Sequence, residues 1–425
     1  MDRKHCSVKL SAHPSRGLID EKMVVQVKNA EPFSKLTLYA AHCCEGGYNW
    51  ESFAHYSSDM TGQVNVSEDP SLGGTYFGVE PMGLLWSLQG VKSNKLGATL
   101  RKLDPEIPMK VTISLYSGYQ SEGFEDLVPL ASVLVERWNI APGVRIIEIK
   151  EDGVNGTLFL PPGPGPFPGI MDLWGYEVGM IKYRAALLGS HGYAALAVNY
   201  ITPDVTKTTR EMVEVDFFEK AFGILQRHPQ VLSSRVGIVG LCFGNVIMFK
   251  VAAYSNVVKP RCLVCVNGIH MIPPDKTLGE ARLYTAQVMR SSVNQETKEI
   301  VMRDSLLPVP TDPKLKMDLG RVSCPLLLVA AEDDLGIPSK EAAEDIQAMM
   351  QRAGKGDLVK ILSYPKAGHI LYPPYMPLGN VTVVKGTGVQ LWGGEPHPHS
   401  CAQEDSWRKT LMFLHKHLCE DVSEN

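Results

Sequence analysis

The sequence predicts a chain of two parts: an N-terminal antiparallel β-sandwich over residues 1–142, then an α/β domain over 143–425 with a mostly parallel sheet between helices. Three observations predict it. Short segments of alternating apolar residues, broken by Gly, Pro, Asn and Asp, fill the first third of the chain. Beyond it, apolar runs of strand length alternate with segments of helical spacing. The chain has 425 residues, 44% hydrophobic and 21% charged, an ordinary globular composition too long for one core.

In the first part, "KMVVQVKN", "KLTLYAAHC", "GQVNV" and "MKVTISLYS" read as strands, and helical periodicity is nearly absent. Their spacing suggests a sandwich of roughly seven strands. Nothing in this part resembles a catalytic constellation.

The second part opens with a hairpin, "VRIIEIKEDGVNGTLFLPPG", and the boundary falls near "NIAPGV". The Gly/Pro run "PPGPGPFPG" is a loop leading into a buried strand, "PGIMDLWG". A helix "MIKYRAALLGSHG", a strand "YAALAVNY" and a helix "REMVEVDFFEKAFGILQRHP" follow. Then come strand "RVGIVG", helix "NVIMFKVAAYS", strand "RCLVCVNG" and a long polar and helical insertion over residues 269–320. Strand "PLLLVAA", helix "SKEAAEDIQAMMQRAG", strand "VKILSYP" and a final amphipathic helix "SWRKTLMFLHKHL" complete the chain.

The formal net charge of −4, with no basic run, argues against a nucleic-acid binder. Apolar runs such as "CPLLLVAA" fall far short of a membrane span. The N-terminus "MDRKHCSVKLSAHPSRG" has no apolar core of a secretory signal. Nine cysteines, an odd and scattered set, suit reduced thiols. Cys262 and Cys265 form a C-x-x-C inside a strand-like run, where they point to opposite faces and read as core residues. "HPHSC" at 397–401 lies in a Gly/Pro-rich stretch and reads as a loop, so no metal site is expected.

The chemistry concentrates in "RVGIVGLCFGN", residues 235–245. Gly240-Leu241-Cys242-Phe243-Gly244 is the G-x-S-x-G pattern with cysteine at its apex, and it joins a buried strand to a helix. A nucleophile elbow needs that setting: a strained apex residue at the end of a sheet strand, with glycines allowing close approach. The helix N-terminus behind the sulfur favours a thiolate. Strand "PLLLVAAEDD" runs into Asp333 and Asp334, and "VKILSYPKAGH" delivers His369. Nucleophile, acid, histidine is the chain order of the α/β-hydrolases. His369 would take the proton from the thiol, and Asp334, with Asp333 as its rival, would orient the imidazole and stabilise the imidazolium. The expected oxyanion donors are the backbone N–H of Phe243 and one from Leu173–Gly175, centred on Trp174.

The chain resembles the acyl-CoA thioesterase and bile acid-CoA:amino acid N-acyltransferase family. The resemblance lies in "GTYFGVEPMGLLWSL", "GPFPGIMDLWG", "YRAALLGSHGYAALAVNY", "VGIVGLCFGN", "ILSYPKAGHILYPPY" and "LWGGEPHPHSCAQEDSW", and so covers both parts. It implies a β-sandwich followed by an α/β-hydrolase domain, with a catalytic triad on Cys242, Asp334 and His369. It also implies a division at the elbow, where thioesterase members carry serine and amino acid conjugating members carry cysteine. The expectation is an acyltransferase moving a bile acid or long-chain fatty acyl group from CoA to glycine or taurine. The alternatives are a thioesterase releasing the free acid and a catalytically idle lipid-binding protein. CoA enters as part of the substrate and no cofactor is expected. A monomer is the simplest state. The chain ends Ser423-Glu424-Asn425 rather than in a serine-lysine-leucine-like peroxisomal signal, which points to the cytoplasm.

Overall fold

The computed structural model describes residues 7–100, 102–175, 180–201 and 214–420. The N-terminal hexapeptide, the first four residues of the helix expected from 210 and the C-terminal tripeptide lie outside the described residues. The chain divides into two compact units. One runs to Asn139 and includes Tyr372–Gly379; the other comprises Ile140–Leu371 and the chain from Asn380 onward.

The first unit holds β1 (Lys9–His13), β2 (Arg16–Leu18), β3 (Val24–Lys28), β4 (Lys35–Cys43), β5 (Asn49–Ser57) and β6 (Val64–Asn65). A single helical turn α1 (Gly83–Trp86), β7 (Gln89–Gly90), β8 (Met109–Ser117) and β9 (Ala131–Trp138) follow. They form a three-stranded sheet, β1-β3-β6, and a six-stranded one, β2-β9-β8-β4-β5-β7. Pairing is antiparallel throughout except between β2 and β9, which run parallel. Alternation does the folding: β5 buries Trp50, Ser52, Ala54 and Tyr56 on one face, and β3 buries Val25 and Val27.

The second unit contains β10 (Arg145–Glu151), β11 (Val154–Leu160), β12 (Phe167–Leu173), α2 (Tyr183–Ser190), β13 (Ala194–Val198) and α3 (Val215–Arg227). Next come β14 (Val231–Leu241), α4 (Phe243–Tyr254), β15 (Leu263–Val266), α5 (Leu278–Ser291), β16 (Glu299–Ile300) and α6 (Met302–Ser305). The last elements are β17 (Leu326–Ala331), α7 (Ser339–Arg352), β18 (Val359–Tyr364), β19 (Val381–Val384), β20 (Gly388–Leu391) and α8 (Pro396–Leu418).

Eight of these strands build one sheet in the order β10-β11-β13-β12-β14-β15-β17-β18. From β13 to β18 every pairing is parallel; β11 alone opposes its neighbours. The central strands are continuous apolar runs, β13 reading AALAV and β17 LLLVAA with every residue buried. Such runs belong to a sheet covered on both faces. Phe218 and Phe222 of α3 and Ile247 and Phe249 of α4 fill the core against it. The architecture is that of an α/β-hydrolase, with β11 as its antiparallel member.

Two expectations are corrected. Residues 397–401 are not a loop: α8 begins at Pro396, so "HPHSC" forms its opening turns. Proline at the first helical position needs no N–H partner and starts the helix rather than breaking it. The 269–320 insertion also contributes β16 to a small separate sheet, β16-β20-β19, which its polar text did not announce. Among the described residues no helix is long and apolar enough to cross a membrane.

Candidate active site

Cys242 stands between the last residue of β14 and the first of α4, with φ 53° and ψ −122°. A non-glycine residue in that region is strained, and its neighbours hold it there. Its N–H is shared by the carbonyls of Val266 (3.2 Å) and Asn267 (3.1 Å), and its carbonyl accepts from Asn245 (3.0 Å). Gly244 is required for the same close approach, since a Cβ there would lie 2.3 Å from the Leu173 carbonyl oxygen. Half-buried Cys242 lines a cavity of about 40 Å³ with His369, Val246, Ile269, Met289 and Met302.

His369 and Asp334 come together 2.7 Å apart, Nδ1–H donating to the carboxylate Oδ2, and both are buried. The carboxylate is fully engaged. Its Oδ1 accepts the N–H groups of Gly336 (2.8 Å) and Ile337 (2.9 Å), and Oδ2 also accepts the Ser339 hydroxyl. Asp333, the rival acid, turns elsewhere: its Oδ2 accepts the N–H of Gly394 (2.8 Å). The other ring nitrogen of His369, Nε2, is buried without a nitrogen or oxygen partner. Burial alone would lower the His369 pKa. The charge of Asp334, then that of Cys242, with hydrogen bonds to both, outweigh it and raise it from 6.5 to about 10.

Three residues to which the sequence assigned no role at the site brace this arrangement. Asn267, fully buried just past β15, donates from its side-chain amide to the His369 carbonyl (2.6 Å) and accepts from the Ala331 N–H (2.8 Å). Since its own carbonyl receives the Cys242 N–H, one residue touches the elbow, the end of β17 and the histidine loop. His399 of α8 grips that loop from another side. Its Nδ1 accepts the Gly368 N–H (3.1 Å) and its Nε2–H donates to the Ile370 carbonyl (3.0 Å). Burial drives the His399 pKa down to about 4, against the opposing bond to Ile370, so the ring is neutral. Trp392 stacks on the His369 ring with centroids 5.0 Å apart, and its carbonyl accepts the His369 N–H (2.8 Å).

The loop after β12 is held from beneath. Buried Arg184 pairs with Asp172 (2.7 Å), donates to the Leu173 carbonyl (3.1 Å) and lies 4.8 Å from the centroid of the Trp174 ring. Tyr200 donates its hydroxyl to the Trp174 carbonyl. With both carbonyls taken, the loop brings Gly175 against the nucleophile: a Cβ there would lie 3.1 Å from the Cys242 Cβ. Phe243, the other expected donor, opens α4. Cys262 and Cys265 are buried core thiols, as expected, with pKa values pushed up by burial.

Two family models match the sequence: "Acyl-CoA thioester hydrolase/BAAT N-terminal region" over residues 20–151 and "BAAT / Acyl-CoA thioester hydrolase C terminal" over 213–420. The chain is 37% identical to a bile acid-CoA:amino acid N-acyltransferase of Mus musculus, over 98% of this chain and 99% of the relative. It is 34% identical to the Homo sapiens protein of that name over the same shares. An acyl-coenzyme A thioesterase 1 of Mus musculus matches at 32% over 96% of each chain. With both halves matched and relatives above 30% identity spanning nearly the full length, the chain belongs to the acyl-CoA thioesterase and bile acid-CoA:amino acid N-acyltransferase family.

Proposed function

We propose that the protein is an acyl-CoA:amino acid N-acyltransferase that moves a bile acid or long-chain fatty acyl group through a Cys242 thioester to glycine or taurine. The observation that carries this reading is a cysteine, not a serine, at a strained elbow apex beside the His369–Asp334 pair.

Cys242 Sγ attacks the carbonyl carbon of the acyl-CoA thioester, with the N–H groups of Phe243 and Trp174 as donors to the developing oxyanion. His369, whose raised pKa keeps it protonated at neutral pH, gives its proton to the departing CoA sulfur. Acylation removes the sulfur charge that helped hold that proton, so the imidazole is left neutral and ready to accept one. The amine attacks the new thioester, His369 takes its proton, and the Cys242 sulfur leaves as the amide forms. A thioester carbonyl is more susceptible to amines than to water relative to an oxygen ester, which is the chemical reason for a thiol here. Asp334 keeps the imidazole oriented throughout. No cofactor is needed by these steps, and the cytoplasm is the proposed location.

The second reading, hydrolysis of the same thioesters, is favoured by the relative named as a thioesterase. Product analysis separates the two: purified protein with choloyl-CoA or palmitoyl-CoA, with and without glycine or taurine. Amide formed only with amine supports the transferase. Free acid at an unchanged rate whatever amine is present overturns it.

A further inference from the structure

At the amino ends of the parallel strands, the pole of the sheet opposite Cys242, lies a cavity of about 460 Å³, in the size range of small-molecule sites. Ser234 lies near the start of β14, Arg261 just before β15 and Ser323 ahead of β17. Asn256 and Lys259 come from the loop that follows α4, and Arg321 ends the turn Leu319–Arg321. Cys242 stands beyond the other end of β14, roughly 25 Å away by the rise of a strand.

Three cations, Lys259, Arg261 and Arg321, thus line a cavity to which no carboxylate contributes. The excess runs against the sign of the whole chain, whose formal net charge is −4. Among the described residues, what the three touch is uncharged. Lys259 Nζ donates to the Ser255 carbonyl (3.2 Å) and Arg261 Nε to the His417 carbonyl (3.4 Å). The Arg321 guanidinium lies 4.4 Å from the centroid of the Tyr254 ring. Glu219 stands behind the wall, where its Oε1 accepts the hydroxyl of buried Ser255 (2.6 Å). The carbonyl end of α4 opens here with its partial negative charge, which Lys259 meets; the two arginines remain.

We propose that this cavity is an anion site that takes the phosphate chain of a small molecule, a diphosphate or longer. Its occupant is a separate molecule from the one reacting at Cys242, since β14 runs its length between the two. The proposal therefore does not depend on the acyl-CoA reading. Arginine presents a planar fork of donors that matches phosphate oxygens. Two such forks, with hydroxyl and amide donors from Ser234, Ser323 and Asn256, suit several oxygens at once. A single charge gains little from exposed cations, so the cavity selects ligands that carry several. The anion joins, at this pole, three elements whose other ends serve the active site: α4 begins at the elbow, β15 leads to Asn267 and β17 to Asp334.

The test titrates inorganic diphosphate, ATP and acetate calorimetrically into the full chain, in phosphate-free buffer of low ionic strength. Diphosphate and ATP are expected to bind with affinities within about tenfold of each other, and acetate not to bind at the same concentrations. Arg261→Gln and Arg321→Gln, at exposed positions, are each expected to weaken diphosphate binding by about tenfold. Lys28→Gln removes an exposed cation from β3 of the other unit and is expected to leave it within about twofold. Circular dichroism of each variant checks that the fold is kept. ATP binding without diphosphate binding would mean that the nucleoside, not the phosphate chain, is recognised, and overturns the proposal. So does diphosphate binding that is absent from wild type, that survives both arginine variants, or that falls equally in Lys28→Gln.

Discussion

The side-chain amide of Asn267 donates a 2.6 Å hydrogen bond to the carbonyl oxygen of His369. The same amide accepts the Ala331 N–H three residues before Asp334, and the Asn267 carbonyl accepts the Cys242 N–H. One buried residue, by its side chain and its backbone carbonyl together, therefore sets the spacing among three segments, each of which leads to a residue of the proposed mechanism. Its φ of 43° suits asparagine, one of the few residues tolerated in the left-handed region.

Asn267→Asp keeps the shape and the acceptor but turns a carboxylate toward the His369 carbonyl. The expected result is a kcat lowered roughly ten- to a hundredfold with KM little changed, because positioning rather than binding is lost. Steady-state kinetics with circular dichroism checks it. A rise in KM at constant kcat would contradict a positioning role.

The two adjacent acids should separate cleanly. Asp334→Asn removes the charge that keeps the His369 imidazole oriented and is expected to cut kcat about a thousandfold or more. Asp333→Asn should cost far less, since the Asp333 carboxylate accepts the Gly394 N–H rather than facing the His369 ring. Equal losses in the two variants would mean that the loop geometry, not the carboxylate beside the histidine, limits the rate.

Two histidines give opposite pH signatures. His369 has a folded pKa of about 10, above its ordinary 6.5, so its stabilisation is complete below 6.5 and is lost as pH rises through about 10. His399 has a folded pKa of about 4, so its contribution is present above 6.5 and is lost as pH falls through about 4. Urea unfolding across this range should show that His369→Gln flattens the alkaline loss and His399→Gln the acid loss. A variant that retains the wild-type slope in its own window would refute the corresponding assignment.

The loop glycines differ in kind. Gly244→Ala sets a Cβ 2.3 Å from the Leu173 carbonyl and 2.5 Å from that of Trp174, backbone atoms that cannot yield without moving β12 or α4. A large fall in melting temperature is expected. Gly175→Ala meets the Cys242 Cβ at 3.1 Å and the sulfur at 3.7 Å, so the nucleophile is crowded while the fold holds. Melting temperature close to wild type with a depressed kcat is the expected pattern, read by calorimetry and kinetics together.

Much of the second unit was legible because its strands are apolar-rich, β13 and β17 without a break, and Cys242, Asp334 and His369 each lie just beyond a strand. The bracing residues were not. Asn267, Arg184 and Tyr200 are single polar residues that each bond a backbone carbonyl of another segment, a relationship that no spacing encodes. His399 was hidden by prolines that suggest a loop and in fact start α8. In the first unit β5 gave a weak signal, since two of its inward residues are Ser52 and Ala54, the serine satisfied by the Leu84 carbonyl at 2.7 Å.

The central claim is that the acyl group passes through the Cys242 sulfur to an amine. Mass spectrometry of the protein after brief exposure to an acyl-CoA without amine tests it most directly. The account predicts an acyl adduct on the peptide carrying Cys242, discharged as the amide when glycine or taurine is added. Turnover that persists in Cys242→Ala, or an adduct discharged only to free acid when amine is present, would contradict it.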